Sequence, residues 1–240
     1  MGKYSNRFTM KDVMDFWDGV ANEYIHENEK VSWVHDQRFT EALKRLKLRD
    51  GIRLLNIWSR DGGAIPYLRS EPYKIEIYNV ELSLNMIRQA KDLFPDELFI
   101  QSSLHELPFA ERTFDVVLSL ETLEHVPDPL LFLKELRRVL IDGGDLVMSL
   151  PPSAVEWTSY LNDIFKFHHG EGPHRFLPPS EVKEMLGEAG FSLLEHRGTL
   201  FLPFSARFIE KLDNTLSKLF RDGFFAQFGL RQFYVCKASR

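Results

Sequence analysis

The sequence predicts a doubly wound α/β fold, a mostly parallel sheet with helices on both faces. Three observations carry this. Short apolar runs alternate with stretches of helical period along most of the chain. One run, FDVVLSL at 114–120, reads as a continuous apolar strand, as expected where both faces of a sheet are covered. A third, IRLLNIWSRDGGAIPYL at 52–68, reads as a buried strand, a tight glycine turn and the start of a helix. In open parallel sheets ligands bind outside the carboxyl ends of such strands.

Taken in order, residues 11–27 read as a helix with Val13, Phe16, Trp17, Val20, Tyr24 and Ile25 on one side. Residues 33–48 read as a second, stopped by Asp50-Gly51. The first strand, with Ile52, Leu54, Leu55 and Ile57, then breaks into Ser59, Arg60, Asp61, Gly62 and Gly63. Glycine there lets backbone approach a ligand, and the following helix offers free N–H groups. Residues 74–80 form a second strand ending at Glu81, and Ser83 suits the N-cap of a helix carrying Met86, Ile87, Ala90 and Leu93. Residues 98–101 are a third strand and 114–120 the fourth. A helix over 129–140 is stopped by Asp142-Gly143-Gly144, and 145–150 is a fifth strand closed by Pro151-Pro152. Residues 153–177 break the rhythm and look like an insertion over the carboxyl edge of the sheet. Ser180 starts a helix ended by Gly190, 191–196 is a strand, 204–220 is amphipathic at helical spacing, and 230–237 is the last strand. The chain reads as one domain over 1–240, with N-terminal helices in 1–50 and a cap insertion at 151–178.

A chain of 240 residues, 44% hydrophobic and 27% charged, is an ordinary globular composition with ample length for a core. A net charge of −5 gives no electrostatic case for nucleic acid as a partner. The single Cys236 suits a reducing compartment. The opening MGKYSNRFTM has no apolar signal core, Asn6 stands where a myristoylation signal wants Ser or Thr, and no run is long enough to span a bilayer; the expected location is cytoplasmic.

Together these segments resemble the class I S-adenosylmethionine (SAM) methyltransferases, in the small-molecule, methyltransferase type 11-like subgroup. The most specific stretch is LPFAERTFDVVLSLETLEHVPDP at 107–129, similar to the fourth-strand signature. FWDGVANEY at 16–24 resembles the N-terminal helix of the family, GGDLVMSLP at 143–151 the fifth strand, and GPHRFLPPSEVKEMLGEAGF at 172–191 the segment leading to the sixth. The resemblance implies a seven-stranded sheet with the last strand antiparallel, SAM as cofactor, and methyl transfer to a small molecule. The acceptor atom it favours is oxygen, before nitrogen or carbon. Carried over by position, Glu81 would hold the ribose hydroxyls, with a solvated strand end as the plain alternative. Leu82, Ser103 and Leu104 would line the adenine side, with Ser103 where the family usually has Asp. Tyr24 and Leu120 would complete the donor site.

The first loop departs from the family pattern Asp, apolar, Gly, x, Gly, x, Gly. The chain reads Asn56, Ile57, Trp58, Ser59, Arg60, Asp61, Gly62 and keeps only the last glycine. Asn56 lacks the charge that favours the donor's amino group. Trp58 puts an indole where backbone should approach the cofactor. Arg60 adds positive charge near a cationic donor, or meets its methionine carboxylate. Two readings stand: a rearranged loop that still binds SAM, or an inactive methyltransferase-like protein that uses the cleft for another ligand or serves as a partner subunit. The enzymatic reading requires a nucleoside-sized hollow at the sheet rim, with Glu81 facing it.

The second constellation is ETLEH. Glu121, Glu124 and His125 follow the fourth strand, and His174 lies later in PHRF. The catalytic candidates are His125 with Glu124, as general base. The same run resembles the divalent-metal site of quinone O-methyltransferases and small-RNA 2′-O-methyltransferases, which would make Glu121, Glu124, His125 and His174 ligands. The plainer reading is a histidine that packs at the cleft. His168 and His169 line an acceptor pocket or lie on the surface. The aromatic cap and the basic, apolar stripe at 204–220 suggest an apolar or lipid-linked acceptor, with peripheral membrane contact as one role of that stripe and core packing as the commoner one.

Overall fold

In the computed structural model the described residues are 3–30, 32–156, 172–199, 215 and 229–239. Two helices, α1 (Met10–Lys30) and α2 (Ser32–Leu43), precede the sheet. Then come β1 (Arg53–Ile57), α3 (Ile65–Ser70), β2 (Glu76–Glu81), α4 (Leu84–Leu93), β3 (Leu98–Gln101) and β4 (Phe114–Leu120). A 3-10 turn at Leu123–His125 leads to α5 (Pro129–Val139), β5 (Leu140–Leu150), α6 (Pro179–Glu188), β6 (Phe191–Thr199) and β7 (Arg231–Ala238). The seven strands lie in the order β3-β2-β1-β4-β5-β7-β6. β1 pairs in parallel with β2 and β4, β2 with β3, and β4 with β5. β7 is antiparallel to both β5 and β6.

Because side chains alternate across a strand, a central strand buried on both faces has no polar face to show. Leu55 and Val117 enter one core layer, with Met86, Phe132 and Leu136 from the helices. Their neighbours Leu54 and Val116 enter the other, with Ala42, Leu68 and Phe233. Each such buried side chain contributes about 1.5–3 kcal/mol, so the two layers together fix the register of β1 and β4.

Helix ends follow the side-chain chemistry. The Ser83 hydroxyl accepts from Met86 N at 3.1 Å and caps α4. It also donates to the Asp18 carboxylate, which accepts Asn85 N at 3.2 Å and thereby ties α1 to the start of α4. The Asp128 carboxylate accepts from Leu131 N at 3.0 Å, with Pro129 in the first turn of α5.

Three expectations need correction. The second helix ends at Leu43, five residues before Leu48. The helix of 129–140 ends at Val139, and β5 begins at Leu140 rather than Asp145. Asp142-Gly143-Gly144 is a bulge inside the strand: the pairing jumps from Phe114↔Leu140 to Val116↔Asp145, and Gly143 takes φ +72°. Of the expected cap, the 3-10 turn Ser153–Val155 and residues 172–178 are described. His168, His169 and almost all of the amphipathic stretch at 204–220 lie outside the described residues.

Candidate active site at the carboxyl edge of the sheet

The carboxyl ends of β1, β2 and β4 bring most of the predicted site residues to one place. Three positive-φ residues other than glycine stand there: Trp58 (φ +55°) and Arg60 (φ +53°) after β1, and Glu121 (φ +51°) after β4. Such conformations cost energy and persist where packing over-determines them. Gly62 (φ +84°) makes the turn into α3, and an added Cβ would come within 2.9 Å of Ile65 and Phe94.

Trp58 is buried and meets Trp17 and His125 edge to face, with ring centroids 5.7 and 5.0 Å away. The two indoles stand nearly perpendicular and form a corner. The Arg60 guanidinium sits in it, its carbon 3.5 Å from the Trp17 ring centroid and 3.6 Å from that of Trp58. Tyr24 lies behind at 5.9 Å. Burial pushes the Arg60 guanidinium below its ordinary range, opposed by the nearby Tyr24, Glu81 and Glu124 and assisted by Arg38.

Glu81 is fully buried, and its carboxylate is turned onto backbone. Oε2 accepts from Arg60 N at 2.7 Å, and Oε1 from Leu82 N and Ser83 N at 2.8 and 2.9 Å. Burial raises its pKa against those donors and the Arg60 charge. The Asn56 amide donates to Asn79 Oδ1 at 2.9 Å, a cross-strand bond from β1 to β2. Leu82 and Leu104 are buried, Leu120 is half-buried, and Ser103 is exposed with its hydroxyl accepting from His105 N at 3.3 Å.

His125 and Glu124 are both buried, with His125 Nε2 3.9 Å from Glu124 Oε1. Its Nδ1 meets the Pro173 carbonyl at 3.0 Å. Burial first, then Arg60 and His174, hold the imidazole well below its ordinary pKa, so it is neutral. The metal set is not assembled. The Glu121 carboxylate accepts from Ser149 Oγ at 2.7 Å and from Arg231 Nε at 3.0 Å, which satisfies it on the far side of the turn. His174 Nδ1 is directed to the Gly172 carbonyl at 2.8 Å. Among the described residues no group of three His, Cys, Asp or Glu side chains is placed to hold a metal ion.

Among the described residues, the cavity lined by Tyr24, Arg38, Asn56, Trp58, Arg60 and Asp61 measures about 30 Å³. That holds a few waters, whereas sites for small molecules run to roughly 300–1,000 Å³. As placed, these side chains do not fit SAM, because the Arg60 guanidinium and the Trp58 indole fill the space. Sequence reasoning saw Trp58 and Arg60 but missed Trp17 and Arg231. Trp17 had a signal, since it lies beside Phe16 in FWDGVANEY; Arg231, 110 residues from its partner Glu121, had none.

This topology, with its antiparallel seventh strand and its site at the ends of β1, β2 and β4, is the class I methyltransferase fold. The family model described as "Methyltransferase domain" matches residues 59–148. The chain is similar to a demethylmenaquinone methyltransferase of Thermotoga maritima, 26% identical over 206 residues, covering 77% of this chain and 90% of that protein. It is equally similar, at 26% over 210 residues, to a ubiquinone/menaquinone biosynthesis C-methyltransferase of Syntrophotalea carbinolica, covering 78% of this chain and 89% of that one. Among solved structures, a SAM-dependent methyltransferase of Thermotoga maritima superposes with a TM-score of 0.68 at 21% identity, over 94% of this chain and 99% of that one. The cyclase SpnF superposes with a TM-score of 0.69 at 18% identity, over 97% of each chain. The fold thus also carries chemistry other than methyl transfer. No helix among the described residues is long and apolar enough to cross a membrane.

Proposed function

We propose that the chain is a SAM-dependent methyltransferase acting on a small apolar acceptor of the hydroquinone class. The observation that carries this is the match along nine-tenths of a demethylmenaquinone methyltransferase. Relatives named for quinone-type acceptors support an apolar substrate, and the one named a C-methyltransferase supports ring carbon as the methylated atom over the oxygen favoured from sequence. In this reading Glu81 holds the ribose. Its Oε2 takes one backbone N–H, and a carboxylate oxygen has capacity for a second donor. Leu82, Ser103 and Leu104 border the base. SAM, when bound, supplies the activated methyl group. His125, neutral and backed by Glu124, accepts an acceptor proton at Nε2. The 1–240 chain acts as one domain, and its location is cytoplasmic.

A second reading, a non-catalytic protein with altered or lost SAM binding, is favoured by one observation: Arg60 fills the donor space. The two separate in one experiment. Purified protein is titrated calorimetrically with SAM and with S-adenosylhomocysteine, and then incubated with labelled SAM and a demethylated quinol in detergent. The enzymatic reading expects donor binding, a methylated quinol, and at least tenfold weaker donor binding in Glu81→Ala, the order of a lost charge-assisted bond. Absence of both binding and product would overturn it and leave the non-catalytic reading.

A further inference from the structure

Residues 172–177, which carry the PHRF motif, lie against the ETLEH turn and are tied to it at two points. The Arg175 N–H donates to the Glu124 carbonyl at 2.8 Å, and the Pro173 carbonyl meets His125 Nδ1 at 3.0 Å. A carbonyl oxygen can only accept. The neutral imidazole therefore carries its proton on Nδ1 and keeps its lone pair on Nε2, the nitrogen 3.9 Å from Glu124 Oε1. Between Gly172 and Phe176 the segment belongs to no helix or strand, so something else must hold that carbonyl in place. Arg175 Nη2 donates to both carboxylate oxygens of Glu181, at 2.7 and 2.8 Å, and Nη1 donates to the Tyr4 carbonyl at 3.4 Å. Charge-assisted bonds of this kind are the strong ones. Glu181 lies in the first turn of α6, a helix fixed by its buried Val182, Met185 and Leu186. At the other end, Gly172 takes φ +67°, and an added Cβ would come within 2.5 Å of the Phe16 ring on α1.

We propose that Arg175 is a positioning residue for His125: anchored on Glu181, it holds the Pro173 carbonyl against Nδ1 and so keeps Nε2 as the atom that takes the acceptor's proton. The catalytic consequence rests on the methyltransferase reading. The hold on the imidazole rests on the geometry.

The test compares the unaltered chain with Arg175→Ala, with circular dichroism to establish folding. Glu181→Gln, which weakens the same anchor, decides the matter if Arg175→Ala does not fold. Glu184→Gln, which removes only an exposed bond to Lys3, is the control. Nitrogen NMR of labelled histidine reads the His125 tautomer, and loss of the signal in His125→Gln assigns it. The unaltered chain and the control should hold the proton on Nδ1, and Arg175→Ala should give a mixture of tautomers. With labelled SAM and a demethylated quinol, Arg175→Ala should lower kcat at least about tenfold with KM unchanged, within the range of a lost general base. In the His125→Gln background it should lower kcat no further. A proton on Nε2 in the unaltered chain, or an unchanged tautomer in a folded Arg175→Ala, overturns the proposal. So does a kcat loss that is the same with and without His125, which would make Arg175 merely structural. If the tautomer follows Arg175 while the unaltered chain methylates nothing, the hold on His125 stands and the methyltransferase reading falls.

Discussion

Trp58 holds a backbone conformation that costs an ordinary residue about 1–2 kcal/mol, and it is not a glycine. The indole explains why the position survives. It is 3% exposed and packs edge to face on Trp17 and His125. Truncating a buried tryptophan costs about 3–5 kcal/mol, so packing outweighs strain. Trp58→Gly relieves the angle, yet it should lower stability by about 1–4 kcal/mol, the difference between those two terms. Urea unfolding followed by circular dichroism measures it. An unchanged or raised midpoint would mean that the strain dominates and that the indole contributes little.

At the scale of elements, the cleft depends on how α1 is fixed. Ser83 has two duties: it caps α4 through Met86 N and donates to Asp18 on α1. Losing a cap costs about 1 kcal/mol, and losing the charge-assisted bond to Asp18, which keeps Asn85 N as a donor, costs about 1–3 kcal/mol more. Ser83→Ala should therefore destabilise by about 2–4 kcal/mol, and it should alter the fluorescence of Trp17, one residue from Asp18, where Asp128→Ala at the start of α5, which frees Leu131 N and Ser5 Oγ, should not. A loss of only about 1 kcal/mol with no spectral change would argue against the coupling of cap to cleft. The strands and caps were legible because they rest on local signals: the apolar runs, Ser83 before a helical period, and Pro129 after Asp128. The bulge at Asp142-Gly143-Gly144 was misread as a helix stop. Glycines mark both features, and only the pairing of Val116 with Asp145 distinguishes them.

Across the whole molecule, the sequence placed Glu81, Glu124 and His125 at one edge of the sheet because strand order and direction follow from the alternation of elements. It did not show that the edge is closed. Closure joins Trp17 on α1, Trp58 and Arg60 after β1 and His125 after β4, a contact among distant segments to which local periodicity is blind. One consequence is acid sensitivity. Burial, then Arg38, Arg231 and Arg60, hold the His35 pKa down at about 2, and burial with Arg60 holds His125 well below 6.5. Both are neutral in the folded chain, whereas the unfolded chain takes up protons near the ordinary value of 6.5. Below that value the unfolded state binds more protons, so stability present above it is lost progressively as pH falls toward the folded values. Glu81 has the opposite sign: its folded pKa is raised above 4.5, so its contribution is full below 4.5 and is lost as pH rises through the raised value. Burial also lowers His105 and raises Asp61, so three histidines stand against two carboxylates, and the net expectation is a fall in Tm between about pH 7 and about pH 5. Replacing both histidines, His35→Gln with His125→Gln, should flatten that slope even though it lowers Tm at pH 8. A slope that is the same in the double variant would place the acid sensitivity elsewhere and remove the buried, cationic character of the closed cleft from the account.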